Sequence, residues 1–403
     1  MDVGDTPMPS DEPPEAPGSV PAADRTSVPW AAFGATSAAY LAVTVGESIL
    51  APLYPAAAGD LGLDLGDAGA ALGLLTGSIA VANVAGGFLL ARCGPRVGIV
   101  AALALTAAGA AVAAAAPGVW PFLAGQVMLG LAAGTFFASG IHTVGTLGGP
   151  RRRGMVMGVF GVAFSAGLTL AALLGAAGAA LGWRMAFAAT GVLAALAVLA
   201  VVGVGLPSPP RDPDSGARRP LRDALGVATG VGSAAAATQY GTVVFLPAFA
   251  VTVWGVEPGA AALLLAAGRI LSVPAKALGG HLSDRIGPLA TTAHLGVLLA
   301  GTGAAWMLAP DGLWGAVPAV AFVAGVGAAF PIANVLAFRE LGDRGPLLGA
   351  FRSVQMGVGA VAAAAIGAGA QALGLRPALL ASLVAPVLLI AVSRRAGAAP
   401  GAG

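Results

Sequence analysis

Two cations sit where a chain of this kind seldom keeps any. Arg269, Ser272 and Lys276 are spaced i, i+3 and i+7 inside an apolar run. On a helix that spacing draws one stripe about 10 Å long. A charge at the centre of a bilayer costs roughly 3 kcal/mol on insertion scales, so it is seldom kept without a use. The chemistry on offer is anion binding or proton exchange. The structural alternatives are an ion pair with a carboxylate on another helix and, for Lys276, a head that snorkels to the lipid headgroups. Pro274 lies between the two cations and can bend their helix.

The opposite sign occurs near the start of the chain. Ser37, Tyr40, Thr44, Glu47 and Ser48 recur at helical spacing and make one polar face. A carboxyl group taken out of water there can take up and release a proton; alternatively, Glu47 pairs with Arg269 or Lys276, or stands exposed at the outer mouth of its segment. Gln239 and the adjacent Tyr240, then Asn334 and Gln355, are further candidates for hydrogen-bonding a solute, and Asn83 and Gln126 are similar. Isolated amides of this kind more commonly satisfy a neighbouring helix.

Other chemistry is not supported. His142, His281 and His294 show no metal-ligand spacing, and the lone Cys93 has no partner for a disulfide or a thiolate site. Glycine-rich stretches abound, yet none follows a strand or ends in the Gly-Lys-Ser/Thr of a phosphate-binding loop. No enzyme, cofactor, metal or nucleic-acid partner is therefore expected, and ATP is not the source of energy.

The elements that must position these residues follow from composition. The chain has 57% hydrophobic and 9% charged residues, where a soluble domain carries about 25% charged. Long apolar runs indicate transmembrane helices rather than a β-barrel, and the 62 glycines suit close helix packing in lipid. Residues 1–28, rich in Pro, Asp, Glu and Ser, read as a disordered tail with no basic stretch of a cleaved signal peptide. Twelve apolar segments follow, near 30–52, 68–90, 97–116, 120–144, 155–180, 186–206, 224–250, 259–281, 289–309, 315–338, 347–371 and 377–393. The expected division is a first bundle over 29–206, a Pro- and Arg-rich linker over 207–222, a second bundle over 223–396 and a tail over 397–403. With both termini cytoplasmic, the inner side collects Arg25, Arg92, Arg96, Arg151–Arg153, Arg211, Arg218, Arg219, Arg222, Arg285, Arg339, Arg344, Arg394 and Arg395, and the outer side only Arg184 and Arg376. That asymmetry sets orientation. Arg352 falls at the cytoplasmic mouth of the eleventh segment.

The halves repeat. Gly87, Arg92 and Gly94 match Gly280, Arg285 and Gly287; Arg153-Gly154, Gly158 and Phe160 match Arg344-Gly345, Gly349 and Phe351; Gly182 and Arg184 match Gly374 and Arg376. Arg269 has its counterpart near Ser78, so it belongs to one half only.

With topology, repeat and motifs in place, the chain resembles the major facilitator superfamily from about Trp30 to Arg395. The family's Gly-x-x-x-Asp-Arg-x-Gly turn reads Gly280, Asp284, Arg285 and Gly287 in the second half. In the first it reads Gly87, Arg92, Gly94 and Arg96, with Ala91 in place of the aspartate. Gln126 stands where many proton-driven members carry an arginine, and the Gly-Pro pair of drug antiporters is absent from helix five.

The resemblance implies an all-α membrane protein of twelve transmembrane helices in two pseudo-symmetric six-helix bundles, rocking about a midplane site. It also implies an inner gate in which Asp284 faces the N-terminus of helix five. The expected activity is secondary transport of a small organic solute across the cytoplasmic membrane, coupled to protons, with export of a drug-like or metabolic compound favoured. The alternatives are uptake or exchange of a small organic anion, and a transport-inactive sensor or scaffold. The expected partners are the solute, protons and the lipid bilayer, and the expected state is a monomer.

Overall fold

The computed structural model describes residues 29–147, 149–204, 206, 225–341 and 345–397. The tail over 1–28, the linker over 207–222, Arg344 and residues 398–403 lie outside them, as do the side chains of Arg151–Arg153.

Both halves open on a broken helix. α1 (Trp30–Ser48) stops at Ile49, and α2 (Leu50–Leu61) continues at 41° to it. Pro52 and Pro55 lack the N–H groups that would bond the carbonyls of Ser48 and Ala51, so the helix opens there. The first span therefore runs to Leu61, not to residue 52 as the apolar run suggests. This moves Glu47 from the outer mouth of its segment to the bend within it. In the second half α8 (Val227–Gly241) breaks at Thr242, passes through a single 3₁₀ turn at Val243–Phe245 and resumes as α9 (Leu246–Trp254), which has Pro247 in its first turn.

The remaining first-half helices are α3 (Leu65–Cys93), α4 (Pro95–Ala114), α5 (Val119–Leu147), α6 (Gly149–Leu181) and α7 (Trp183–Val204). Their second-half mates are α10 (Pro258–Ile286), α11 (Pro288–Leu308), α12 (Gly312–Leu341), α13 (Gly345–Leu373), and the pair α14 (Leu375–Ser382) and α15 (Val384–Gly397). Among the described residues ten helices or joined helices are long and apolar enough to cross a membrane, and the bent α1–α2 pair makes an eleventh. α11 supplies the twelfth expected segment with 21 residues, made more polar by Thr291, Thr292 and His294.

The backbone repeats more faithfully than the sequence. Gly62 and Gly255 close α2 and α9 at φ of 66° and 68°; Gly94 and Gly287 end α3 and α10 at 81° and 86°; Gly182 and Gly374 precede α7 and α14 at 104° and 89°. Left-handed φ is accessible to glycine without a Cβ clash, so these three pairs fix the same turns in both copies.

The halves meet unevenly. At the end carrying Asp60, Asp64 and Asp311, α3 and α13 approach so closely that a Cβ on Gly69 would lie 2.6 Å from the Gly367 Cα. Above that contact Gln371 donates a hydrogen bond to Asp64 (2.6 Å). α2 packs on α9 and α10, and α6 on α10. α1, α4, α5 and α7 pack mainly within the first half; α8, α11, α12 and α15 pack mainly within the second. At the opposite, arginine-rich end, Glu340 accepts from the backbone N–H of Ala228 (3.1 Å), placing a carboxylate at the start of α8, where the helix dipole favours it.

Candidate functional site

A cavity of about 550 Å³ lies between the two halves. Repeat mates face one another across it: Glu47 and Tyr240, Ala51 and Val244, Leu72 and Leu265, Phe137 and Phe330. Of the residues singled out from sequence, Tyr40, Glu47, Gln239, Tyr240, Arg269, Lys276 and Asn334 line it. Thr44 and Gln355 do not. Thr44 is buried where α1 presses on Gly167 of α6, and Gln355 is buried beneath the wall.

Each cation is held by a neutral partner. Arg269, only 6% exposed, donates from Nη1 to Gln239 Oε1 (3.1 Å). Lys276 reaches across to the other half, where its Nζ donates to Ser165 Oγ (2.6 Å) and lies 5.5 Å from the Phe164 ring centroid. The third cation is Arg352, which the sequence reading left at the mouth of its segment. α13 begins at Gly345, so Arg352 stands about 10 Å up the helix and lines the cavity. Its guanidinium lies 5.0 Å from the ring of Phe137 and 5.8 Å from that of Phe330, a cation between a symmetry-related aromatic pair. Gln355 accepts from Arg352 Nη1 (2.6 Å) and donates to the Gly232 carbonyl (3.1 Å), so it positions the arginine from behind. The sequence signal was the depth of Arg352 past the glycine that starts its helix.

The ion pair of Arg184 with Asp60 is at the acidic-loop end, away from the cavity. Glu47 shares the cavity with Arg269, Lys276 and Arg352 without forming an ion pair to any of them. Tyr40 stacks on Phe136, Phe160 and Phe164 at 5.2, 4.5 and 5.4 Å, which fixes the face of α1 that carries Glu47. The glycine alignment puts Thr76, not Ser78, at the repeat position of Arg269; Thr76 is buried and bonds its own helix at the Leu72 carbonyl (2.7 Å).

The turn residues lie at the arginine-rich end. Gly94 and Gly287 make the left-handed corners, Gly87 and Gly280 stand one to two helical turns before them, and Arg96 donates to the Val202 carbonyl (3.2 Å). Arg92 is exposed and engaged. Asp284 and Arg285 are exposed and have no ion-pair partner among the described residues.

The family model described as Major Facilitator Superfamily matches residues 36–393. No sequence among curated proteins matches the chain. Among solved structures, a bacterial homologue of the human lysosomal transporter Spinster, inward-facing and unoccupied, is 18% identical with a TM-score of 0.70, over 91% of this chain and 98% of that one. A D-xylose–proton symporter is 15% identical with a TM-score of 0.73, over 91% and 97%. The transporter FucP in its outward conformation is 16% identical with a TM-score of 0.64, over 90% and 98%.

Proposed function

We propose that this chain, which belongs to the Major Facilitator Superfamily, carries a small organic anion across the cytoplasmic membrane by alternating access, coupled to protons through Glu47. One observation carries the anion reading: Arg269, Lys276 and Arg352 wall a cavity whose sole carboxylate among its lining residues is Glu47, and each cation is hydrogen-bonded to a neutral side chain. Cations left without a counter-ion in a poorly solvated cavity favour an anionic ligand. The rings of Phe137, Phe164 and Phe330 favour an apolar body on the same solute. Anion transport thus comes ahead of the export of an uncharged drug-like compound.

With the arginine-rich end in the cytoplasm, the Gly69–Gly367 contact and the Asp64–Gln371 bond close the outer end. Residues 29–206 and 223–396 are the two bodies that rock. In the outward-open state Asp284 and Arg285, with the corners at Gly87, Arg92, Gly94, Arg96, Gly280 and Gly287, close the inner end. Glu47, facing the same cavity as the cations, is placed to exchange its proton as the anion comes and goes; the similarity in fold to proton symporters supports that coupling.

Counterflow in proteoliposomes, with a panel of organic anions competing against uncharged sugars and drug-like compounds, tests this reading. An anion that drives counterflow, with the rate falling in Arg352→Gln, is the expected outcome. Competition by uncharged compounds alone would reject it.

A further inference from the structure

Beside the main cavity is a second, far smaller one of about 10 Å³, lined by Tyr40, Val43, Glu47, Ile79, Asn83, Ala133, Phe137, Phe164 and Arg352. All but Arg352 come from the first half; the arginine reaches in from α13 and forms its lid. Glu47, Tyr40, Phe137, Phe164 and Arg352 also line the main cavity, so the small one opens off the same carboxyl group.

Polar atoms of Asn83 and Arg352 in its lining are unsatisfied. Asn83 is 5% exposed, and neither its Oδ1 nor its Nδ2 has a hydrogen-bond partner. The buried Nε of Arg352 has none either. Leaving a buried amide without hydrogen bonds is costly, so such groups are nearly always bonded. A polar void of roughly 10–15 Å³ holds one water molecule when two to four polar groups surround it. The size therefore admits a single water, and the chemistry selects water over a metal cation, because a guanidinium forms one wall. Water accepts two hydrogen bonds and donates two. Here the Asn83 Nδ2–H and Arg352 Nε–H groups donate, and the Glu47 carboxylate and Asn83 Oδ1 accept.

We propose that this pocket is a one-water site that joins Glu47, Asn83 and Arg352, making Asn83 a positioning residue for proton coupling. The link spans the halves: a carboxyl on α1 and an arginine on α13 share one bridging molecule. When Glu47 takes a proton it gives up an acceptor in that bridge, and the hold on Arg352 changes at the point where the solute is to bind. The charged and titratable groups facing Glu47 are Tyr40 on its own helix, Tyr240 on α8, Arg269 on α10 and Arg352 on α13, with Lys276 farther along α10. α3, α5 and α6 contribute only Asn83, apolar side chains and aromatic rings to this small pocket. The role assigned to Asn83 rests on the proposed coupling through Glu47; the water site itself does not.

Two measurements on the full-length protein test the proposal. In the first, infrared difference spectra of the unsubstituted protein are recorded in H₂¹⁶O and H₂¹⁸O. A hydrogen-bonded water band that shifts with the isotope and is lost in Glu47→Gln is expected; an unshifted spectrum overturns the site, whatever solute the protein carries. In the second, pH-driven accumulation and counterflow are compared in Asn83→Leu, which removes the amide and fills the pocket. The ratio of accumulation to counterflow should fall about tenfold, and Asn83→Ser, which leaves room for water, should restore part of it. An unchanged ratio and pH profile in Asn83→Leu overturns the positioning role. If Asn83→Leu does not fold, Asn83→Ser and Asn83→Ala replace it. Both leave the pocket open to water, and identical accumulation ratios in these two and the unsubstituted protein likewise overturn the role.

Discussion

The two halves share a backbone and divide the charge. Their broken first helices, their left-handed glycines and the aromatic pair Phe137 and Phe330 stand at matching positions. The ionisable residues do not. Where the second half has Arg269 the first has Thr76, where it has Lys276 the first has Asn83, and where it has Arg352 the first has Gly161. Where the first half has Glu47 the second has Tyr240. Motion needs two like bodies that rock about a common axis, so the fold is kept in duplicate. Binding and coupling need unlike groups that meet in the middle, so the side chains differ. Cations collect on one body and the cavity's carboxyl on the other, and a solute held between them senses both.

Making the halves more alike should damage transport in a graded way. Arg269→Gln and Arg352→Gln each remove a charge-assisted contact to an anion, worth about 1.5–3 kcal/mol, so kcat/KM should fall by roughly ten- to a hundredfold in uptake assays. Equal rates in either variant would sever the link between charge and cargo. Glu47→Gln should abolish accumulation driven by a pH gradient while reducing counterflow much less, measured in the same vesicles. Persistent accumulation would move coupling elsewhere. Gly367→Val tests the like parts of the halves. Overpacking at the α3–α13 contact costs about 1–3 kcal/mol, and spin-label distances across the acidic-loop end should shift to the longer population by at least about fivefold. Lys276→Asn, which copies the first half's Asn83, should raise KM only severalfold, since the lysine is shared with Ser165 and is partly exposed.

The sequence carried the architecture well because lipid imposes its own grammar: every backbone polar group must be satisfied within a helix, so apolar run lengths mark the spans. The interior of the cavity was legible where polarity was out of place, as with Arg269, Glu47 and the Gln239–Tyr240 pair. It failed where the helix itself deviated from expectation. The apolar run near 30–52 stops short of the first span, which Pro52 and Pro55 bend and which continues to Leu61, so Glu47 lies farther from its end than the run suggests. Arg352 falls at the cytoplasmic mouth of its segment by sequence, although two turns of α13 carry it into the wall. Thr44 and Gln355 had the right type and spacing but face other helices, a matter of rotation about the axis that hydrogen-bonding potential alone does not fix. The uneven meeting of the halves depends on glycine contacts between α3 and α13, far apart in the chain, that no local pattern encodes.

Helix length has a consequence for the surrounding bilayer. α3, α5, α10 and α13 contain 29 residues each, or about 44 Å of helix, against roughly 30 Å of hydrocarbon. α4 and α11, with 20 and 21 residues, match that thickness almost without excess. The long helices must tilt or project, and α3, α10 and α13 are among those through which the halves touch. Membrane thickness therefore acts on the same helices that change partners during the cycle. A thicker bilayer draws them upright and a thinner one lays them over, which makes lipid chain length a variable of the transport equilibrium alongside the solute.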